Sequence, residues 1–294
     1  MEIAVIGAGK WGMALNHAFS EKNRVVISSR RKRDLKNFIP LEKALNYKYL
    51  VMAIPTQFVR EFMQKHFKNK GQKILVAAKG IEINSGKFLN EVYSDFVDER
   101  QLSFLSGPSF ASEVIKSLPT ALVVSSINKE LAIEFANAMP SFIKAYVDND
   151  VIGAEVAGAY KNVIAIAAGV CDGLRLGNNA RAALISRGLV EMSRFGEYFG
   201  AKKDTFLSLG GAGDLFLTAS SNLSRNYRVG VGLAKRKKIK DILKELGEVA
   251  EGVATTQALV KIAKEKDIYL PIANEVDKLI KGKDPTKSLE DLLH

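Results

Sequence analysis

The stretch Glu2-Ile-Ala-Val-Ile-Gly7-Ala-Gly-Lys-Trp-Gly12 decides the fold. Glu2 to Ile6 is a short β-rich run that ends in a G-x-G-x-x-G turn. Met13 to Glu21 then reads as a helix and Arg24 to Ser28 as a second strand. The glycine pattern means little alone, but in this β-turn-α-β context it reads as a dinucleotide-binding turn. Gly7 permits the tight turn, Gly9 lets backbone approach a pyrophosphate, and Gly12 allows close helix packing, with the positive helix N-terminus facing the anion. The alternative is a glycine-rich turn with no ligand.

The end of the second strand bears on which dinucleotide. A site for NAD places Asp or Glu there to accept from the ribose 2′-hydroxyl, whereas this chain has Ser28, Ser29, Arg30, Arg31, Lys32 and Arg33. The planar guanidinium suits a 2′-phosphate, so NADP(H) is expected and NAD(H) use stays open. A basic loop facing solvent is the competing explanation.

Buried-strand patterns recur at Tyr49 to Ile54, Lys73 to Ala78, Leu102 to Ser106, Ala121 to Ser125 and Phe142 to Val147, with Asn128 to Ala138 helical. This is a doubly wound α/β sheet of Rossmann type. Its ligands belong at the C-terminal strand ends, which brings forward Lys79 and the turn Gly107-Pro-Ser-Phe-Ala111. Lys79 can also be read as an ordinary exposed loop lysine. Beyond about residue 150 the β pattern stops. Val151 to Asp172, Asn179 to Phe199, Gly213 to Ser221, Asn226 to Ala234, Ile239 to Leu246, Ala254 to Lys266 and Ile272 to Leu279 all read as helices. The expected division is a dinucleotide-binding domain at 1–149 and an all-α substrate and catalytic domain at 150–294. No Pro-, Gly- or Ser-rich linker separates them, so the active site is expected in the cleft between.

Within the first of those helices, Lys161 is the one formal charge from Val156 to Cys171. An ammonium in so apolar a setting is costly unless a partner or ligand offsets it. The segment is too short for the roughly 20 apolar residues of a membrane span and reads as a packed helix. Either Lys161 carries chemistry or its stem is buried and its head snorkels to solvent. The histidines are His17, His66 and His294, none well placed as a proton donor. The acid/base role therefore shifts to Lys161 or Lys79, each of which would lower the other's pKa in a shared pocket. No metal-ligand spacing of His and Cys appears, and a metal-free mechanism is expected.

The composition is that of a globular enzyme, with 47% hydrophobic and 26% charged residues over 294 positions. The net charge of +11 fits phosphate-bearing partners or a lysine-rich surface. Its densest run, Lys235 to Lys240, lacks aromatics for base stacking, so no nucleic-acid partner is expected. The lone Cys171 excludes an intrachain disulfide, and the strand directly after Met1 replaces a signal peptide. A cytoplasmic protein without membrane insertion is the expectation.

Gly210-Gly-Ala-Gly-Asp214 reads as a flexible turn that sets one carboxylate at a helix start, and Ser224-Arg-Asn226 opens another helix as an anion site. Asp214 is either an N-cap or an acceptor that partners Lys161.

Gly7 to Gly12, Ala77-Ala-Lys-Gly80, Gly107 to Ala111, Gly158-Ala-Tyr-Lys-Asn-Val163, Asn179 to Ile185, Gly213-Asp214, Ser224 to Asn226 and Glu251-Gly252, in this order, closely resemble the bacterial NAD(P)-dependent glycerol-3-phosphate dehydrogenases across nearly the whole chain. The resemblance implies an oxidoreductase that interconverts dihydroxyacetone phosphate and sn-glycerol 3-phosphate for phospholipid synthesis, as a homodimer. It implies Lys161 as general acid/base, and Lys79, Gly107, Ser109, Lys161, Asp214, Ser224, Arg225 and Asn226 as the substrate site. It places Gly7, Gly9, Trp11, Gly12, Arg30, Arg31, Arg33, Lys79, Ala111, Arg225, Val249 and Glu251 against the cofactor. Lys10 stands where that family usually has Ser, and the segment from Arg33 to Leu45 is shorter than usual. A β-hydroxyacid or 6-phosphogluconate type dehydrogenase is the rival enzyme reading. A nonenzymatic NADP-sensing or nucleic-acid-binding protein is the rival outside enzymes.

Overall fold

A computed structural model describes residues 1–288. The first half alternates β1 (Glu2–Ile6), α1 (Lys10–Ser20), β2 (Arg24–Ser28), α2 (Leu41–Ala44), β3 (Tyr49–Met52), α3 (Val59–His66), β4 (Lys73–Val76), α4 (Leu89–Ser94), β5 (Leu102–Ser106), α5 (Ala111–Val114), β6 (Thr120–Ser125), α6 (Lys129–Asn137) and β7 (Ile143–Asp148). The strands form one sheet in the order β2-β1-β3-β4-β5-β6-β7. The central strands are buried on both faces, which is why they read as unbroken apolar runs. One hydrophobic cluster covers each face, Leu15 and Phe19 on one side and Val59, Val92 and Tyr93 on the other.

One pairing departs from the purely parallel pattern: β5 and β6 run antiparallel, with Leu105 opposite Val124. The chain reverses through Gly107 to Pro119, and that reversal holds the Gly107 to Ala111 turn at the sheet's C-terminal edge. Apolar strand patterns carry no sign of direction, so the reversal is visible only in the pairing.

The second half is helical: α7 (Val151–Gly173), α8 (Gly177–Tyr198), α9 (Lys203–Leu207), α10 (Asp214–Ala219), α11 (Arg225–Ala234), α12 (Ile239–Leu246), α13 (Glu251–Lys266) and α14 (Pro271–Ile280). Asp150 caps α7 by accepting from the Gly153 amide at 2.9 Å. α7 runs beyond the charge-free stretch at both ends. Its 23 residues are long and apolar enough to cross a membrane, yet 89% of the apolar window is buried inside the protein, so this helix serves as a core helix. Glycines let its neighbours close in: a Cβ on Gly169 would lie 2.0 Å from the Tyr227 carbonyl oxygen, and one on Gly230 2.0 Å from that of Ile166. The seam between α7 and α11 is therefore backbone against backbone.

Gly210 to Gly213, expected as a flexible turn, is instead part of a π-helical turn, Leu209–Gly213, that leads straight into α10. A Cβ on Gly211 would meet the Phe206 backbone at 2.4 Å, so tight packing explains the glycine here.

Candidate active site

The glycine turn divides its three glycines by what each one faces. Gly7 has φ +111°, and a Cβ there would sit 2.4 Å from the Ala53 carbonyl oxygen. A Cβ on Gly12 would fall 1.8 Å from the Gly7 carbonyl oxygen, whereas one on Gly9 meets nothing within 4 Å. Protein packing thus demands the outer two glycines. The middle one leaves its surface open to the cavity. No side chain caps α1 and its first turn carries no acid, so its amide dipoles are left to whatever lies in front of them. These residues fit a dinucleotide pyrophosphate.

That turn forms one wall of a cavity of about 760 Å³ lined by both halves of the chain. Gly7, Gly9, Trp11, Gly12, Arg30, Lys79, Ser109 and Ala111 line it from the first half, and Lys161, Ser224, Arg225, Asn226, Val249 and Glu251 from the second. The indole of Trp11 is fixed by donating from Nε1 to the Ala77 carbonyl at 3.0 Å, just past β4. Among the three arginines, Arg30 lines the cavity; Arg31 and Arg33 follow on the same exposed loop outside the lining. Glu251 accepts from the Thr56 amide at 3.3 Å, and its burial pushes the carboxyl above the usual range.

At the floor, three charges converge. Lys161, on α7, and Lys79, just beyond β4, donate to the two carboxylate oxygens of Asp214, Lys79 at 2.7 Å. Asp214 is wholly buried, and the side chains of Lys161 and Lys79 are 9% and 16% exposed. Lys161 therefore does not snorkel, Lys79 is not a free loop lysine, and Asp214 turns to the lysines instead of capping its own helix. Lys79 reaches Lys161 because Gly158, one turn earlier on α7, leaves room for its aliphatic stem; a Cβ there would lie 3.2 Å from Lys79 Cγ. Lys79 also donates to the Gly107 carbonyl at 3.3 Å, and Gly107, at φ +107°, turns back over Ala121 and Leu122. Gly107 and Asp214 thus stand behind the cavity wall, supporting the lysines that reach it.

Burial lowers the Lys161 ammonium to about 7, with the neighbouring Lys79 charge acting the same way and Asp214 opposing both. Burial alone would raise Asp214, but the two lysines hold it below the usual carboxylate range. Two ammoniums around one carboxylate leave an excess positive charge in a dry site. Loss of one proton leaves a neutral ion pair, so deprotonation relieves that excess.

Ser224 caps α11 by accepting from the Tyr227 amide at 3.2 Å, and the Arg225 guanidinium follows at the same helix start. Asn226 works partly as a fastener: it donates to Asn162 Oδ1 at 2.9 Å and accepts from the Gly252 amide at 3.0 Å, tying α11 to α7 and α13. Sequence reading missed Phe58, Asn162, Thr218, Arg228 and Glu248 in the lining. Phe58, a half-exposed ring, follows Pro55 beyond the C-terminal end of β3, where the topology rule would have found it. Arg228 stands three residues after Arg225 on α11, a helical spacing that would have found it, whereas Glu248 offered no such signal, because tertiary packing brings it to the cleft.

Two family models match the chain, the NAD-dependent glycerol-3-phosphate dehydrogenase N-terminus over residues 33–132 and its C-terminus over 150–291. A glycerol-3-phosphate dehydrogenase (NAD(P)+) of Sulfurimonas denitrificans is 62% identical over 292 residues, 99% of each chain. One from Nitratiruptor is 59% identical over all of this chain and 98% of its own. Among solved structures, the glycerol-3-phosphate dehydrogenase of Coxiella burnetii superposes with a TM-score of 0.91 at 30% identity, covering 100% of this chain and 98% of the other.

Proposed function

The chain belongs to the NAD-dependent glycerol-3-phosphate dehydrogenase family, and we propose that Lys161 is the group in it that transfers the proton. The protein is an oxidoreductase that uses NAD(P)H to reduce dihydroxyacetone phosphate to glycerol 3-phosphate. The β-hydroxyacid, 6-phosphogluconate and nonenzymatic readings fall away with that membership.

When bound, the nicotinamide cofactor supplies the hydride to the substrate carbonyl carbon. Lys161 gives its Nζ proton to the carbonyl oxygen as that oxygen gains charge, and takes it back in the reverse direction. Asp214 fixes the Lys161 ammonium, and Lys79 adds a second cation facing the same oxygen. Ser224, Arg225 and Asn226 receive the substrate phosphate at the α11 start, Ser109 borders the substrate opposite, and Gly107 supports that side from behind through Lys79. The cofactor would be held by Gly7, Gly9, Trp11 and Gly12, with Arg30, joined by Arg31 or Arg33, for the 2′-phosphate of NADP(H). Lys79, Ala111, Arg225, Val249 and Glu251 would complete its lining. The observation that carries this reading is the convergence of Lys161 and Lys79 on the buried Asp214 at the cavity floor.

The proposal extends to the sn-isomer as product, to its use in glycerophospholipid synthesis, to domains at 1–149 and 150–294, and to a cytoplasmic homodimer that inserts in no membrane and binds no nucleic acid. Oxidation of NADPH that depends on dihydroxyacetone phosphate tests the centre of it. Lys161→Ala should lower kcat by about 10²–10⁴, the usual contribution of a positioned acid, with NADPH binding retained. Full activity in that variant would sink the assignment.

A further inference from the structure

Glu248, between the end of α12 and the start of α13, touches both halves of the chain at the cleft mouth. One carboxylate oxygen accepts from Lys10 Nζ at 2.5 Å, the other from Arg225 at 3.4 Å. Lys10 is the first residue of α1, beside Gly9; Arg225 is the first of α11. Both cations, and Glu248 itself, line the cavity. Partial burial alone would raise the Glu248 carboxyl, but the Lys10 hydrogen bond and the Arg225 charge hold it below the usual carboxylate range, so it is an anion at neutral pH.

The contact is exchangeable. The side chains of Lys10, Arg225 and Glu248 are 75%, 43% and 25% exposed, and pairs in such water-rich settings contribute at most about 1 kcal/mol. A pyrophosphate in front of α1 competes with this single carboxylate for the same ammonium, and carries more charge to do so.

We propose that Glu248 is an internal counter-anion for the dinucleotide site, a strap across the cleft that surrenders Lys10 to the cofactor's pyrophosphate, frees Arg225 for the phosphate at the α11 start, and recaptures both as the cofactor leaves. Glu248 then sets affinity and release rate, and the device depends on the Lys10 ammonium. The inference rests on the cofactor reading of the Gly7 to Gly12 turn, so its test reads binding and not turnover.

The experiment is titration of dihydronicotinamide fluorescence with wild type, Glu248→Gln, Lys10→Ser and the double variant. Glu248→Gln should bind NADPH about threefold to fivefold more tightly, the factor that corresponds to an exposed pair, and release it more slowly in stopped flow. Glu248→Ala should move in the same direction. Lys10→Ser should weaken binding by a larger factor in the Glu248→Gln background than in wild type, because there Lys10 has no bridge to break first. Equal or weaker binding in Glu248→Gln, or an equal Lys10→Ser factor in both backgrounds, overturns the strap. Wild type that binds no NADPH would remove the cofactor reading together with it.

Discussion

A lysine meets a carboxylate at the mouth of the cleft and another lysine meets one at its floor, and the two pairs share almost nothing but their chemistry. Lys10 and Glu248 stand in water, their side chains 75% and 25% exposed; Lys161 and Asp214 are 9% and 0% exposed. At 4 Å a pair of unit charges is worth about 1 kcal/mol in water and about 4 kcal/mol at the effective dielectric of a protein. The mouth pair can therefore be exchanged for a passing phosphate. The floor pair cannot be exchanged, and what the environment changes there is the affinity of Lys161 for its proton.

The strongest way to break this comparison is Asp214→Asn. It leaves two buried ammoniums without their anion, so unfolding in denaturant should show a loss of about 3–5 kcal/mol, as when one partner of a buried pair is removed. A loss as small as that of Glu248→Gln would put both pairs in one class.

The glycine turn offers the next largest effect. Gly9→Val should fold, since its Cβ meets no protein atom, but should bind NADPH at least tenfold more weakly in the fluorescence titration, a loss of about 1.4 kcal/mol or more. Gly12→Val, aimed at the Gly7 carbonyl, should instead lower the melting temperature sharply. Identical behaviour in the two variants would mean that the ligand surface at Gly9 is misassigned.

Proton affinity sharpens the contrast further. With Lys161 in its proposed role, reduction draws on the ammonium, so kcat/KM for dihydroxyacetone phosphate should fall as pH rises through about 7, and the reverse reaction should fall as pH drops below it. Lys79 lowers Lys161, so Lys79→Met should move that limb to higher pH, whatever it does to the rate itself. Glu248→Gln should leave the limb in place. The smallest effect belongs to the exposed loop: Arg30→Ala with Arg31→Ala should weaken NADPH by about tenfold, within the range of charge-assisted bonds, and NADH much less. Equal losses for both cofactors would refute 2′-phosphate recognition.

The parts of this molecule that could be read in advance are those with local causes. β1, the glycine turn and β2 are specified by neighbours in sequence, and their strand bounds agree with the reading; α1 starts three residues earlier than expected because Gly9 serves as its N-cap and Gly12 lies inside its first turn. Lys161 stood out because an isolated charge in an apolar run is itself a local signal. The partners that the structure gives it are not local. Asp214 lies 53 residues from Lys161 and 135 from Lys79, and a carboxylate after a glycine run looks the same whether it caps a helix or gathers two lysines. The direction of β6 and the reach of Glu248 to Lys10 are likewise settled by packing, which no periodicity encodes.

Gly158 shows what such packing can govern. The stem of Lys79 lies across the bare face of α7 at that residue, where an added Cβ would come within 3.2 Å of its Cγ and 3.3 Å of its Cδ. A single methyl group there would act as a shim. Under the proposed role of Lys161, a position that bears no charge thereby bears on the proton donor, through the Lys79 ammonium that lowers it.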